Sequence, residues 1–245
     1  MALADILQYI DNQQRFYVDQ LKEFVRIPSI SAGAETDNRD GITQAADFLV
    51  EQFGQMGFRA EKVQVSAETN PLVLAQSPNP SPERPTVLVY GHYDVQGVDN
   101  PRSAWAMDPF AAEERDGFLI ARGASDNKGP SFAHLKAVEA ILAAGDQLPV
   151  DLVFLIEGEE ECGSRALGQF VAEGGLEPFA PLLCTVISDT SMYGPDRPSL
   201  TLGLRGIVYT ELEIPGPKQD VHSGLFGGIV RNPNQLLVDA LAGLV

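Results

Sequence analysis

The chain has 245 residues, of which 44% are hydrophobic and 21% charged, and carries a formal net charge of −17. That is enough apolar material for one large domain, or for one domain and part of another. So acidic a balance argues against nucleic acid, because phosphate binding needs Lys and Arg to displace counterions, and no uninterrupted apolar stretch reaches membrane-spanning length.

Residues 3–25 place Leu3, Ile6, Leu7, Ile10, Tyr17, Leu21, Phe24 and Val25 at helical spacing. Ile27-Pro28-Ser29 ends that helix, since proline restricts the residue before it. A second helix is expected over 41–56 through Ala45, Phe48, Leu49 and Phe53, with Gly57 as its stop. Strand-like runs follow at 60–65 and 71–76, then a proline-rich turn at 77–82. The apolar run 86–90 leads through Gly91 to His92, Tyr93 and Asp94, so a buried strand delivers an imidazole and a carboxylate to its C-terminal edge. Residues 95–116 are turn-rich and hold Trp105, Asp108, Pro109 and Phe110; they read either as a surface loop with an anchoring aromatic or as a rim over a site.

Helices are expected over 128–144 and 164–172, and apolar strands over 152–156 and 182–187. This alternation indicates α/β architecture with a mostly parallel sheet flanked by helices. The pattern changes near Gly203. Residues 207–214 alternate like an antiparallel strand, Pro215-Gly216-Pro217 turns, and 233–244 begins an amphipathic helix. A strand, a turn and one helix cannot bury both their faces. Residues 1–203 are therefore expected to form one α/β domain, and 204–245 the start of a second, α+β one.

The residues that carry chemistry sit just after buried hydrophobic segments, where open α/β sheets place their sites. In an extended strand His92 and Asp94 point to one side and can share a pocket, and Asp94 is placed to accept from the imidazole. A His-x-Asp pair alone is weak evidence, since a chance surface or capping pair is the better reading of it. Asp126 lies among Gly123, Ser125, Asn127 and Gly129, either as a helix cap or as a carboxylate able to bridge two metal ions. Glu157-Gly158-Glu159-Glu160-Glu161 follows consecutive apolar residues, so part of it must end a buried strand, where packed carboxylates call for cations. Asp189 repeats the pattern, as a turn residue or a ligand. A mixed imidazole and carboxylate set suits zinc or a similar divalent metal. Two such ions would polarise a carbonyl and acidify a shared water, while a nearby Glu handles its proton. Cys162 and Cys184 form no C-x-x-C pair and the N-terminus has no basic-then-apolar leader, which points to a reducing cytoplasm. Cys162 is expected to be packed, as free cysteines commonly are.

In order along the chain come Gly91-His92-Tyr93-Asp94-Val95, Trp105 with Asp108-Pro109-Phe110, and Arg122-Gly123-Ala124-Ser125-Asp126-Asn127-Lys128-Gly129. Glu160-Glu161 with Gly163-Ser164, and then Ser188-Asp189, complete the set. Together they resemble the M20 metallopeptidases. Leu202-Gly203-Leu204-Arg205-Gly206, Val221-His222-Ser223-Gly224 and Gly227-Gly228 resemble the dipeptidase branch that contains the carnosine dipeptidases. The resemblance implies a zinc-exopeptidase-like catalytic domain with the start of a lid domain. It implies two zinc ions per complete site, with Mn or Co as alternatives: His92 and Asp189 on one, Glu161 on the other, Asp126 bridging. Asp94 would orient His92, Glu160 would be the general base, and the Asp126-Asn127 peptide would be cis. His222 would reach a partner's active site in a homodimer and stabilise the oxyanion. The substrate would be a dipeptide or short peptide, with an N-acyl amino acid as the alternative; a non-catalytic metal-binding or interaction module is a further reading. Relatives continue to about twice this length and supply a last histidine ligand. This sequence has His92, His134 and His222, and His134 is expected to be an ordinary helix residue. The chain therefore reads as an N-terminal fragment of such a peptidase, whose activity in isolation is an open question.

Overall fold

A computed structural model describes residues 3–32, 38–99, 104–145, 147–194 and 197–244. Residues 100–103 of the turn-rich stretch and the terminal Val245 thus lie outside the described residues. The chain divides into two compact units, Met1–Ser191 and Met192–Val245.

In the first unit, helix α1 (Leu3–Arg26) leads through β1 (Ile30–Ala32) to α2 (Arg39–Gln55). Next come β2 (Arg59–Val63), β3 (Leu72–Gln76), β4 (Thr86–His92) and the short β5 (Val95–Gln96). A hairpin of β6 (Glu113–Arg115) and β7 (Phe118–Ile120) precedes α3 (Lys128–Ala143). Strand β8 (Asp151–Glu157), a 3-10 turn over Glu160–Cys162, α4 (Arg165–Ala172) and β9 (Leu182–Ile187) complete it.

The main sheet has the order β2-β3-β8-β4-β9. Strands β8, β4 and β9 run parallel, while β2 and β3 pair antiparallel with each other and β3 with β8. The expected parallel arrangement thus holds for the half that carries the site, and an antiparallel hairpin fills the other half. The reason is connection length: β2 and β3 are joined by a short turn, whereas β4 reaches β8 through α3, as a parallel crossover requires. The register sets His92 opposite Glu157 and Tyr90 opposite Ile187, so β4 and β8 end level and β9 ends two residues earlier, just before Ser188 and Asp189.

Strand β8 is buried at every position because both its faces are covered. Leu152, Phe154 and Ile156 pack with Phe24, Phe53, Leu49, Phe132 and Leu135 from α1, α2 and α3. Val153 and Leu155 turn the other way, onto Leu72, Leu88 and Ala166 of α4. Burial of each such side chain contributes roughly 1.5–3 kcal/mol. Stacked Phe24 and Phe48 rings, with centroids 4.9 Å apart, lock α1 against α2. Within this apolar layer the fully buried Lys128 ammonium donates to Phe24 O at 3.1 Å and Ile27 O at 2.6 Å, tying the start of α3 to the end of α1.

The second unit contains α5 (Ser223–Phe226) and α6 (Pro233–Ala242), the latter capped by Asn232, whose side chain accepts from Asn234 N. Residues 207–214 alternate as a strand would but form none. Side-chain alternation alone is not enough, because a strand exists only through a hydrogen-bonded neighbour.

Candidate metal centre

The parallel strand ends converge on the imidazole of His92, which is fully buried. Its Nδ1 lies 3.0 Å from Asp94 O and 3.3 Å from Asp94 Oδ1. Both are acceptors, so Nδ1 carries a hydrogen, and Nε2 faces the opposite side of the ring. There Nε2 meets Asp126 Oδ1 at 3.0 Å, Asp189 Oδ2 at 3.6 Å and Glu160 Oε2 at 4.0 Å. Asp126 sits in the turn before α3, and the Asp126-Asn127 peptide is cis. Asp189 follows β9, and Glu160 lies on the 3-10 turn after β8.

Asp94 organises this cluster from behind. Its buried carboxylate accepts from the Ser31 hydroxyl, from Glu160 N at 3.3 Å and from Glu161 N at 3.1 Å. A single side chain thus holds both the imidazole and the turn that presents Glu160 and Glu161. The Glu161 carboxylate is in turn fixed by Gln96 Nε2, which donates to Oε2 at 2.8 Å and to the Glu161 carbonyl at 3.1 Å.

So many carboxylates around one imidazole move the acid–base equilibria. Burial opposes charge on His92. The hydrogen bond to Asp94 and the negative charges of Asp94, Asp189 and Glu160 outweigh it and push the imidazolium up to about 9. Glu160 is raised above the usual carboxylate range, first by burial and then by Glu161, Asp189 and Asp94, against the lowering pull of His92. Glu161 is raised for the same first reason, with Gln96 pulling the other way.

The donor set fits a divalent cation. Ligand atoms of His92, Asp126 and Asp189 lie within 4.8 Å of one another, and so do those of His92, Glu160 and Glu161. Four carboxylates and one imidazole at this spacing repel strongly unless positive charge is brought among them. The chain therefore holds a candidate metal-binding group made of residues from the ends of β4, β8 and β9 and the start of α3.

His92, Asp94, Asp126, Glu160, Glu161 and Asp189 are all brought together. His222 belongs to the second unit, where it caps α5: its Nδ1 accepts from Gly224 N at 3.0 Å. His134 is an ordinary packing residue of α3, its Nε2 2.6 Å from Ser188 Oγ. One expectation is corrected. Cys162 is exposed instead of packed, because the 3-10 turn that aims Glu160 and Glu161 inward leaves it outside. The sequence reading also missed Ser31, Gln96, Asn127 and Ser131 as partners of the site. Gln96, two residues beyond Asp94 on an extended segment, is the one whose period-two spacing could have flagged it.

The sequence model for peptidase family M20/M25/M40 matches residues 88–222. Cys-Gly metallodipeptidase dug1 of Schizosaccharomyces pombe is 36% identical over 254 residues, covering 100% of this chain and 52% of that protein. Beta-Ala-His dipeptidase of Homo sapiens is 37% identical over 252 residues, covering 99% of this chain and 49% of that protein. The crystal structure of human carnosine dipeptidase 1 superposes with a TM-score of 0.74 at 32% identity, over 99% of this chain and 52% of that one. The chain spans about half the length of the curated relatives it matches.

Proposed function

The chain belongs to peptidase family M20/M25/M40, and from that membership we propose that it carries the catalytic centre of a metal-dependent hydrolase cleaving dipeptides or short peptides. The observation that carries this reading is the approach of Asp126, Asp189 and Glu160 to Nε2 of His92. Relatives named as metallodipeptidase and dipeptidase lend it the substrate class.

On this reading His92, Asp126, Glu161 and Asp189 would hold two zinc ions, His92 and Asp189 serving one, Glu161 the other and Asp126 both, with manganese or cobalt as alternatives. A divalent cation there supplies Lewis acidity to the scissile carbonyl and to water. The protein's own residues do the rest. Asp94 keeps a hydrogen on His92 Nδ1, so that Nε2 is the nitrogen that would give up its proton to a cation. Glu160 Oε2 takes a proton from the attacking water and delivers it to the departing amine nitrogen. Its raised affinity for protons suits both halves of that task. With Nδ1 of His222 accepting from Gly224 N, Nε2 carries the donor hydrogen in the neutral ring. By the family resemblance His222 would serve the oxyanion of a partner's site in a homodimer, and a hydrogen on Nε2 suits that role. Residues 1–203 would then belong to the catalytic domain and 204–245 to the lid.

Hydrolysis of unblocked dipeptides by the purified protein, with and without zinc or manganese, tests the reading. Turnover should follow added metal, disappear with chelator, and fall by about 100-fold or more in Glu160→Gln without loss of bound metal. Turnover that survives both chelation and Glu160→Gln would overturn it.

A further inference from the structure

The ladder between β4 and β9 stops at Tyr90 and Ile187, two residues short of His92 and Asp189. Beyond that point the side chain of Asn127 takes over the bridging. Its Oδ1 accepts from His92 N at 3.4 Å, and its Nδ2 donates to Ser188 O at 2.8 Å. The same amide donates to Asp189 Oδ1 at 3.0 Å and accepts from the Ser131 hydroxyl one turn along α3. Asn127 is 1% exposed, so water does not compete for these bonds. The fit is close enough to exclude a side chain at position 91. A Cβ on Gly91 would overlap Ser131 Oγ and stand 2.8 Å from Asn127 Oδ1.

The two oxygens of Asp189 are thereby made unequal. Oδ1 is held by Asn127, and Oδ2 is the one that faces His92 Nε2 at 3.6 Å. A carboxylate anchored by one oxygen loses the freedom to rotate away, and that freedom is what a loop aspartate must give up to bind a cation.

We propose that Asn127 is a positioning residue of the metal centre: its amide fixes Asp189 and ties it to the backbone of His92, with Ser131 holding the amide itself. The inference rests on the reading of Asp189 as a metal ligand. Substitution acts on the site in a way that spacing does not reveal. Asn127→Asp keeps the size but turns an anionic oxygen toward Ser188 O and Asp189 Oδ1, and Asn127→Ala removes the bridge.

The test is titration of the 245-residue chain with Co²⁺, reading visible absorption for affinity and coordination, and circular dichroism for folding. Asn127→Asp and Asn127→Ala should bind cobalt about 10- to 100-fold more weakly, with an altered absorption band, at wild-type helix content. A merely structural role would lower the melting temperature and leave the folded chain's cobalt affinity and band unchanged, and that result overturns the proposal. If neither variant folds, Ser131→Ala decides: it keeps the amide but frees it, and unchanged cobalt affinity again overturns the proposal. Asp189→Ala separates the two claims. Should the wild type bind no cobalt, or Asp189→Ala bind it with wild-type affinity, the reading of the centre itself fails. Should Asp189→Ala weaken binding while the folded Asn127 variants do not, only the role of Asn127 fails.

Discussion

Replacing Asp94 by Asn removes a charge while keeping the shape, and the pattern of donors around it decides the cost. Oδ2 accepts from the Ser31 hydroxyl and Glu161 N, and Oδ1 accepts from Glu160 N and faces His92 Nδ1. An amide group placed at Oδ1 would point its hydrogens at two donors. Placed at Oδ2 it faces only one, Glu161 N, because the Ser31 hydroxyl can rotate and accept. The second orientation should win, leaving a single buried N–H without a partner at a cost of about 1–3 kcal/mol. The surviving bonds change from charged to neutral acceptors, which adds roughly 1 kcal/mol. Urea denaturation of the metal-free Asp94→Asn chain should therefore show a loss of about 2–4 kcal/mol. The hydrogen bond from His92 Nδ1 should persist, because Asp94 O still accepts it. Zinc affinity should consequently fall chiefly through the loosened turn that carries Glu161. A stability change below about 0.5 kcal/mol would refute the claim that Asp94 holds this turn.

Lys128→Met should destabilise the chain by about 2 kcal/mol in the same assay, because it leaves the Phe24 and Ile27 carbonyls without their buried donor. Burial holds His134 below its ordinary value of 6.5. The unfolded chain therefore binds the proton first, and the stability His134 contributes is full above pH 6.5 and lost as pH falls through the lowered value. The urea midpoint should therefore fall less with decreasing pH across that range in His134→Gln than in the wild type. Zinc at 100 times its dissociation constant should raise stability by about 2.7 kcal/mol, and Asp126→Ala should abolish most of that gain in a thermal melt.

The site was legible because its residues obey local rules. His92, Glu160, Glu161 and Asp189 each follow an apolar strand, and strand ends can be found from periodicity alone. Their supporting partners were hidden for the opposite reason. Gln96 reaches Glu161, and Asn127 reaches Asp189, across more than sixty residues of sequence, so only the folded sheet brings them together. The β6–β7 hairpin lies inside a turn-rich stretch and carries one local signal. Asp116-Gly117, both at positive φ, form the two-residue turn that such a pair favours, but strands as short and charged as Glu113–Arg115 give no apolar alternation. Residues 207–214 erred the other way, showing strand alternation where no neighbouring strand pairs with them.

Zinc binding by the purified 245-residue chain, measured by equilibrium dialysis beside His92→Ala, is the most direct test of the metal centre. The arrangement of Asp126, Asp189, Glu160 and Glu161 around His92 predicts zinc bound by the wild type and lost, by about 100-fold or more in affinity, without the imidazole. Zinc binding that is absent from the folded wild type, or indifferent to His92→Ala, would contradict it.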